Sequence, residues 1–86
     1  MIISGFDWDD DNISHIGRHA FTPDEVEEVF VGRFQVRRAR QKRYIALGET
    51  LDGRLTHVVF LRIGRGVVRV ITARDMGDRE RRRFRK

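Results

Sequence analysis

Three histidines, His15, His19 and His57, and no cysteine set the range of chemistry open to this 86-residue chain. Imidazole titrates near neutral pH and suits proton transfer, and Glu49, Glu80 and Tyr44 are the other side chains that can handle a proton. Without cysteine there is no disulfide framework, thiolate zinc site or iron–sulfur cluster. His15 and His19 stand four apart, on one face of a helix, but no acid occupies the position that a zinc-hydrolase motif requires between them. Sixteen of the 18 Lys and Arg residues are arginine, the exceptions being Lys42 and Lys86. Arginine stays protonated and cannot act as a base. Its planar fork instead clamps phosphate through two parallel hydrogen bonds and stacks on nucleobases.

These cations are unevenly placed. Residues 1–30 hold eight acids against the single base Arg18, whereas residues 31–86 hold 17 bases against five acids. The formal net charge of +5 therefore hides an acidic first third and a strongly basic remainder. An Arg-rich, Lys-poor excess of this kind points to nucleic acid or to an acidic protein surface. A solvated surface with an Arg-biased composition is the plainer alternative. With 40% apolar and 36% charged residues and one proline, the chain reads as one small globular domain, residues 1–86. A domain of this size has a modest core, so a deep pocket for a large organic cofactor is not expected. No apolar run approaches the ~18 residues that span a bilayer, and Asp7, Asp9, Asp10 and Asp11 replace a basic leader start, which together predict a cytoplasmic protein without membrane contact.

The elements that must position these side chains follow from local signals. Ile2, Ile3, Phe6 and Trp8 form a short edge strand or extended arm. Asp9 or Asp10 then caps a helix running to about His19, with Ile13, Ile16 and Ala20 on its apolar face. Phe21-Thr22-Pro23-Asp24-Glu25-Val26 combines a capping box (Thr22, Glu25), a proline at the first helical position and a hydrophobic staple (Phe21, Val26). That second helix buries Val26, Val29 and Phe30 and stops at Gly32. From Phe34 the period becomes alternating, and Gln41 to Arg43, Asp52-Gly53 and Gly64-Arg65-Gly66 separate four strands. The strand from Leu55 to Ile63 is apolar on both faces, as a covered central strand or an interface would be. In the last strand, simple alternation groups Val68, Val70 and Thr72 with Arg74, and Val67, Ile71 and Ala73 with Arg69. A polar helix, Asp75 to Arg85, closes the chain; with Phe84 as its only large apolar residue it is expected to be frayed or held by a partner. The fold class is α+β: an N-terminal strand or arm, two helices, a four-stranded antiparallel sheet and a basic C-terminal helix.

Several blocks in this order resemble the BrnT family of bacterial toxins: Trp8-Asp9, Arg18-His19, Thr22 to Phe30, Arg43-Tyr44-Ile45-Ala46-Leu47-Gly48, Val70 to Met76, and Arg79-Glu80-Arg81-Arg82-Arg83-Phe84. The resemblance covers nearly the whole chain. It implies a RelE-like fold, metal-independent endoribonuclease activity that halts translation, and neutralisation by a BrnA-type antitoxin. It also implies a joint complex that contacts operator DNA only through the antitoxin's ribbon-helix-helix domain, and no cofactor. The family's usual Lys-His-Gly appears here as Arg18-His19-Ala20, its Ser-Ala-Arg as Thr72-Ala73-Arg74, and a frequent tyrosine of the last helix as Phe84. The acid often found before the Arg-Tyr pair is Lys42.

Metal-free RNA cleavage needs a base for the 2′-hydroxyl, an acid for the 5′-oxygen and cations for the charge on the phosphorane. The expected catalytic set is Arg74 and Arg43 on the scissile phosphate with His19 as general acid or base. The expected RNA-binding set is Arg18, Arg62, Arg69, Arg79, Arg82 and Arg83. Structural roles stand beside these: His19 as a helix C-terminal cap, His57 as a hydrogen-bonded residue within a strand, Trp8 as core, and Arg74 as an ion-pair partner of Asp75 or Asp9. A non-catalytic RNA-binding or partner-docking module is the competing function, and a homodimer would cover the two-sided apolar strand.

Overall fold

The computed structural model describes residues 2–85; Lys86, the last base of the C-terminal run, lies outside them. Helix α1 (Asp10–Gly17) begins where Asp9 stops the arm. The Asp9 carboxylate accepts from the backbone N–H groups of Asp11 and Asn12, and Asn12 Oδ1 accepts from Asp9 N in return. Asn12 also donates to the carbonyls of Asp7 and Val70, so it is Asn12, with Ile16, that faces the core. Ile13, expected there, is 40% exposed. The helix ends two residues before His19, and Ala20 takes a left-handed conformation (φ 61°) that lets Phe21 N reach back to Ile16 O. Helix α2 (Pro23–Val29) carries the capping box read from its sequence: Glu25 N donates to Thr22 Oγ1 and Thr22 N to the Glu25 carboxylate.

Five strands form one sheet in the order β1-β5-β4-β3-β2: β1 (Gly5–Phe6), β2 (Phe34–Arg38), β3 (Tyr44–Glu49), β4 (Leu55–Gly64) and β5 (Val67–Asp75). The sheet has one strand more than the alternation indicated. Two residues of the arm pair parallel with β5, because Gly66 at φ 68° turns its carbonyl toward Ser4 N and Gly5 N. A Cβ on Gly66 would lie 2.7 Å from Ser4 Oγ, so this contact depends on glycine.

The register of β4 and β5 corrects the expected faces of the last strand. Val59 pairs with Thr72 but Phe60 with Val70, which leaves Ile71 as an extra residue in β5. A bulge of this kind reverses the alternation beyond it. Val68, Val70 and Ala73 therefore share the core face, and Arg69, Thr72 and Arg74 share the other.

Each face has its own apolar cluster. On one, α1 and α2 cover Ala46, Val58, Phe60, Val68, Val70 and Ala73 through Ile16, Phe21, Val26 and Val29. On the other, α3 (Asp78–Phe84) lays Phe84 against Leu47 and Met76. Around Thr56 to Val58 the β4 strand is thus covered on both sides within one chain, whereas at its far end Ile63 is 50% exposed. The polar helix is also held more firmly than its composition suggests: Phe84 is buried, Arg33 lies 4.5 Å over its ring, and its carbonyl accepts from Arg33 and Gln35.

Candidate active site

The α3 face gathers the chemistry at the end of the sheet where β5 stops. Strand register sets Arg74 beside His57 and His57 beside Leu47. Helix α3 then brings Glu80 over them. Gly77 N donates to Glu80 Oε1 at 2.8 Å, which fixes the carboxylate at the helix start. The guanidinium of Arg74 grips Glu80 with two hydrogen bonds of 2.9 Å and donates a third to Asp75 O. His57 Nε2 lies 3.4 Å from Glu80 Oε2. Around this unit Arg37, Arg79 and Arg83, with Gly77 and Asp78, line an open cavity of about 410 Å³.

The electrostatics of the unit are self-consistent. Burial works against a charged Glu80, but the hydrogen bonds from Arg74 and Gly77, with help from the neighbouring charges, outweigh it and hold the carboxyl at about 2. Burial, then the Arg74 and Arg37 charges, push His57 down from its ordinary value, with Glu80 opposing. The lowered imidazole is uncharged at pH 7, and its Nε2 faces Glu80 Oε2 at 3.4 Å, a proximity rather than a well-formed hydrogen bond. Its buried Nδ1 has no hydrogen-bond partner among the described residues.

The sequence-derived residues divide between four places. Arg74, Arg79 and Arg83 meet in the cavity, and Arg82 lies exposed on the same helix. His19 and Arg18 lie in the turn after α1, where His19 acts electrostatically on Asp75, the chain neighbour of Arg74. Arg43 and Arg62 line a different cavity at the other end of the sheet. Four residues of β3 at ~3.3 Å and two inter-strand steps of ~4.8 Å separate Arg43 from Arg74, roughly 16 Å in all. Arg69 is bound to the N-terminal arm through Asp7 at 3.1 Å and Asp9 at 2.9 Å. The ion-pair partners proposed for Arg74 are taken by others, Asp75 by Arg54 and Asp9 by Arg69. Trp8 packs against the core beside Phe6 and donates Nε1–H to Glu27.

Arg37 and Arg54 are not among the expected site residues and look in the sequence like two more surface arginines, while His57 and Glu80, both candidates for proton transfer, carry no sequence signal that they meet. Arg54 makes four hydrogen bonds, to Asp75, His19 O and Ala20 O, and lies 3.6 Å over the Phe21 ring, so it fastens the α1–α2 turn to the end of β5. No sequence signal separates it from its neighbours, since each of these partners is 21 or more positions away in the chain.

Comparison with known proteins agrees with this architecture. The family model described as "Ribonuclease toxin, BrnT, of type II toxin-antitoxin system" matches residues 8–80. Among solved structures, the chain is similar to the 1.1 Å crystal structure of the Brucella abortus ribonuclease toxin BrnT, at 23% identity and a TM-score of 0.65. That alignment covers 90% of this chain and 96% of the Brucella chain, and at such identity it speaks to the fold. No curated protein matches the sequence. No helix among the described residues is long and apolar enough to cross a membrane. The chain belongs to the BrnT family of ribonuclease toxins of type II toxin–antitoxin systems.

Proposed function

We propose that the protein is a metal-independent endoribonuclease that cleaves RNA by 2′-hydroxyl attack, inhibits translation in the cytoplasm and is neutralised by a BrnA-type antitoxin. The observation that carries this reading is the cavity in which four arginines surround a carboxylate held between Arg74 and a buried histidine. Arg74, Arg79, Arg83 and Arg37 bind the scissile phosphate and stabilise the phosphorane.

Glu80 is the base in this scheme. In the free protein both its oxygens are occupied by Arg74 and it is a weak proton acceptor. A phosphate entering the cavity competes for the same guanidinium, and each hydrogen bond that Arg74 transfers to phosphate raises the basicity of Glu80 toward the 2′-hydroxyl. His57 is a positioning residue, holding Glu80 from behind. His19, exposed at the same end of the sheet, is assigned the proton donated to the leaving 5′-oxygen. Any contact with operator DNA runs through the antitoxin.

The test is expression of the wild type and of Arg74→Ala in a host without the antitoxin, with growth and transcript ends followed together. New ends carrying 2′,3′-cyclic phosphate, resistant to chelators and lost in the variant along with growth arrest, are expected. RNA binding without new ends would instead identify a non-catalytic module.

A further inference from the structure

A second cluster of cations has no place in the scheme above. At the far end of the sheet Arg38, Lys42, Arg43 and Arg62 surround Tyr44 and Ala39 in an open cavity of about 440 Å³. No acid lines it, and none occurs in the chain between Glu28 and Glu49. Among the described residues none of the four side chains makes an ion pair or hydrogen bond, in contrast to Arg54, Arg69 and Arg74, each of which is held by a carboxylate. Like charges gathered without counter-charge repel one another, so the free protein gains nothing by this arrangement.

Local geometry deepens the point. The turn that presents Lys42 and Arg43 holds two consecutive non-glycine residues, Gln41 and Lys42, in the left-handed region (φ 59° and 61°). A hairpin turn of this shape ordinarily takes Asn-Gly, and long side chains here are strained. Tyr44 stacks on Phe60, with ring centroids 5.6 Å apart, and Arg62 lies 6.0 Å from the Tyr44 ring, which supplies an aromatic surface among the cations.

The two cavities lie on opposite faces of the sheet, because Arg38 and Tyr44 share a face with the core residue Phe60, whereas Arg37 pairs with Ile45 on the α3 face. They are joined around the edge strand. Adjacent residues of β2 point to opposite faces, so Arg37 ends one cavity and Arg38 begins the other with no carboxylate between them.

We propose that this far cavity is a second RNA subsite: it takes the phosphodiester backbone of a single strand whose scissile phosphate lies in the first cavity, the strand passing around β2. The proposal rests on the ribonuclease reading. An all-cationic hollow with one aromatic ring suits a nucleic acid, whereas a peptide interface would need an apolar centre that this cavity lacks.

The probe is a fluorescein-labelled 2′-O-methyl oligouridine of roughly a dozen nucleotides, within the range one small domain can cover and resistant to 2′-hydroxyl attack. Its affinity is followed by anisotropy across salt concentrations for the wild type, for Arg38→Gln/Lys42→Gln/Arg62→Gln, and for Arg79→Gln/Arg83→Gln. Each phosphate contact on a single strand contributes ~0.7 to the salt slope, so the triple variant is expected to bind roughly tenfold or more weakly at low salt, with a slope smaller by about 2. Should the triple variant fail to fold, Arg62→Gln alone makes the same test with a slope change of ~0.7. Wild-type affinity and slope in the triple variant, with weakened binding in the Arg79/Arg83 pair, would overturn the second subsite and leave the ribonuclease reading intact. Undiminished RNA binding with lost affinity for polyglutamate would assign the cavity to an acidic protein partner and equally overturn it. No binding by the wild type would sink both.

Discussion

Replacing Glu80 with Gln should remove a sizeable part of the acid sensitivity of this fold. The carboxyl is held at about 2 against an ordinary value of 4.5, and its side chain is only 16% exposed, so little of the effect is lost to solvent screening. A folded-state value below the unfolded one means that the ionised form stabilises the native state above the unfolded value, and that this contribution disappears as pH falls through the folded one. At ~1.4 kcal/mol per pH unit, this corresponds to about 3 kcal/mol present above pH ~5 and lost as pH falls through about 2. The lowered His57 acts in the same direction: the unfolded chain takes up its proton first, and stability falls as pH drops below the ordinary histidine value. The Gln variant loses the Glu80 part, and His57, with the Glu80 charge that opposed its lowering removed, stays lowered. Urea unfolding followed through the single tryptophan, Trp8, at pH 6.5 and at pH 2.5 measures both chains. We expect the variant to be less stable by about 3 kcal/mol at the higher pH and by less than ~1 kcal/mol at the lower, where most of the Glu80 contribution is gone. For a domain of this size the difference at the higher pH is a shift of order 10–20 °C in Tm. An equal loss of stability between the two pH values in both proteins would refute the Arg74–Glu80–His57 unit as described.

Three further substitutions test the framework around the site. Ala20→Gly should stabilise by about 1 kcal/mol, because φ 61° strains alanine and not glycine; a lower urea midpoint would contradict it. Gly48→Ala should cost about 1–3 kcal/mol, since the new Cβ would lie 2.9 Å from Val29 Cγ1 and 3.2 Å from Val29 O, and an unchanged Tm would show that α2 can move away from β3. Arg54→Lys keeps the charge but loses the fork that joins Asp75 to the carbonyls of His19 and Ala20. It should lower stability by about 2 kcal/mol and open the 18–22 segment to limited proteolysis, and wild-type protease resistance would argue against a clamp.

What the amino-acid sequence determined by itself is what neighbours within about four residues decide. The Thr22–Glu25 box, Pro23 at the start of α2, Asp9 as a helix cap and Gly53 in the β3–β4 turn all satisfy backbone groups close in the chain, and each is where its residue type places it. The family blocks were legible for a related reason, being short segments in a fixed order. Tertiary structure alone decided the rest. The parallel pairing of the arm depends on Gly66 meeting Ser4, 62 positions away. The extra residue Ile71 set which side of the sheet receives Arg74, because one unpaired residue reverses every side chain beyond it. Among 16 similar arginines, only the assembled sheet and helix α3 chose which would be neutralised, which would gather around Glu80 and which would be left without a counter-charge. Charge partners are fixed by distance in space, and chain order carries that information only after the strands have paired.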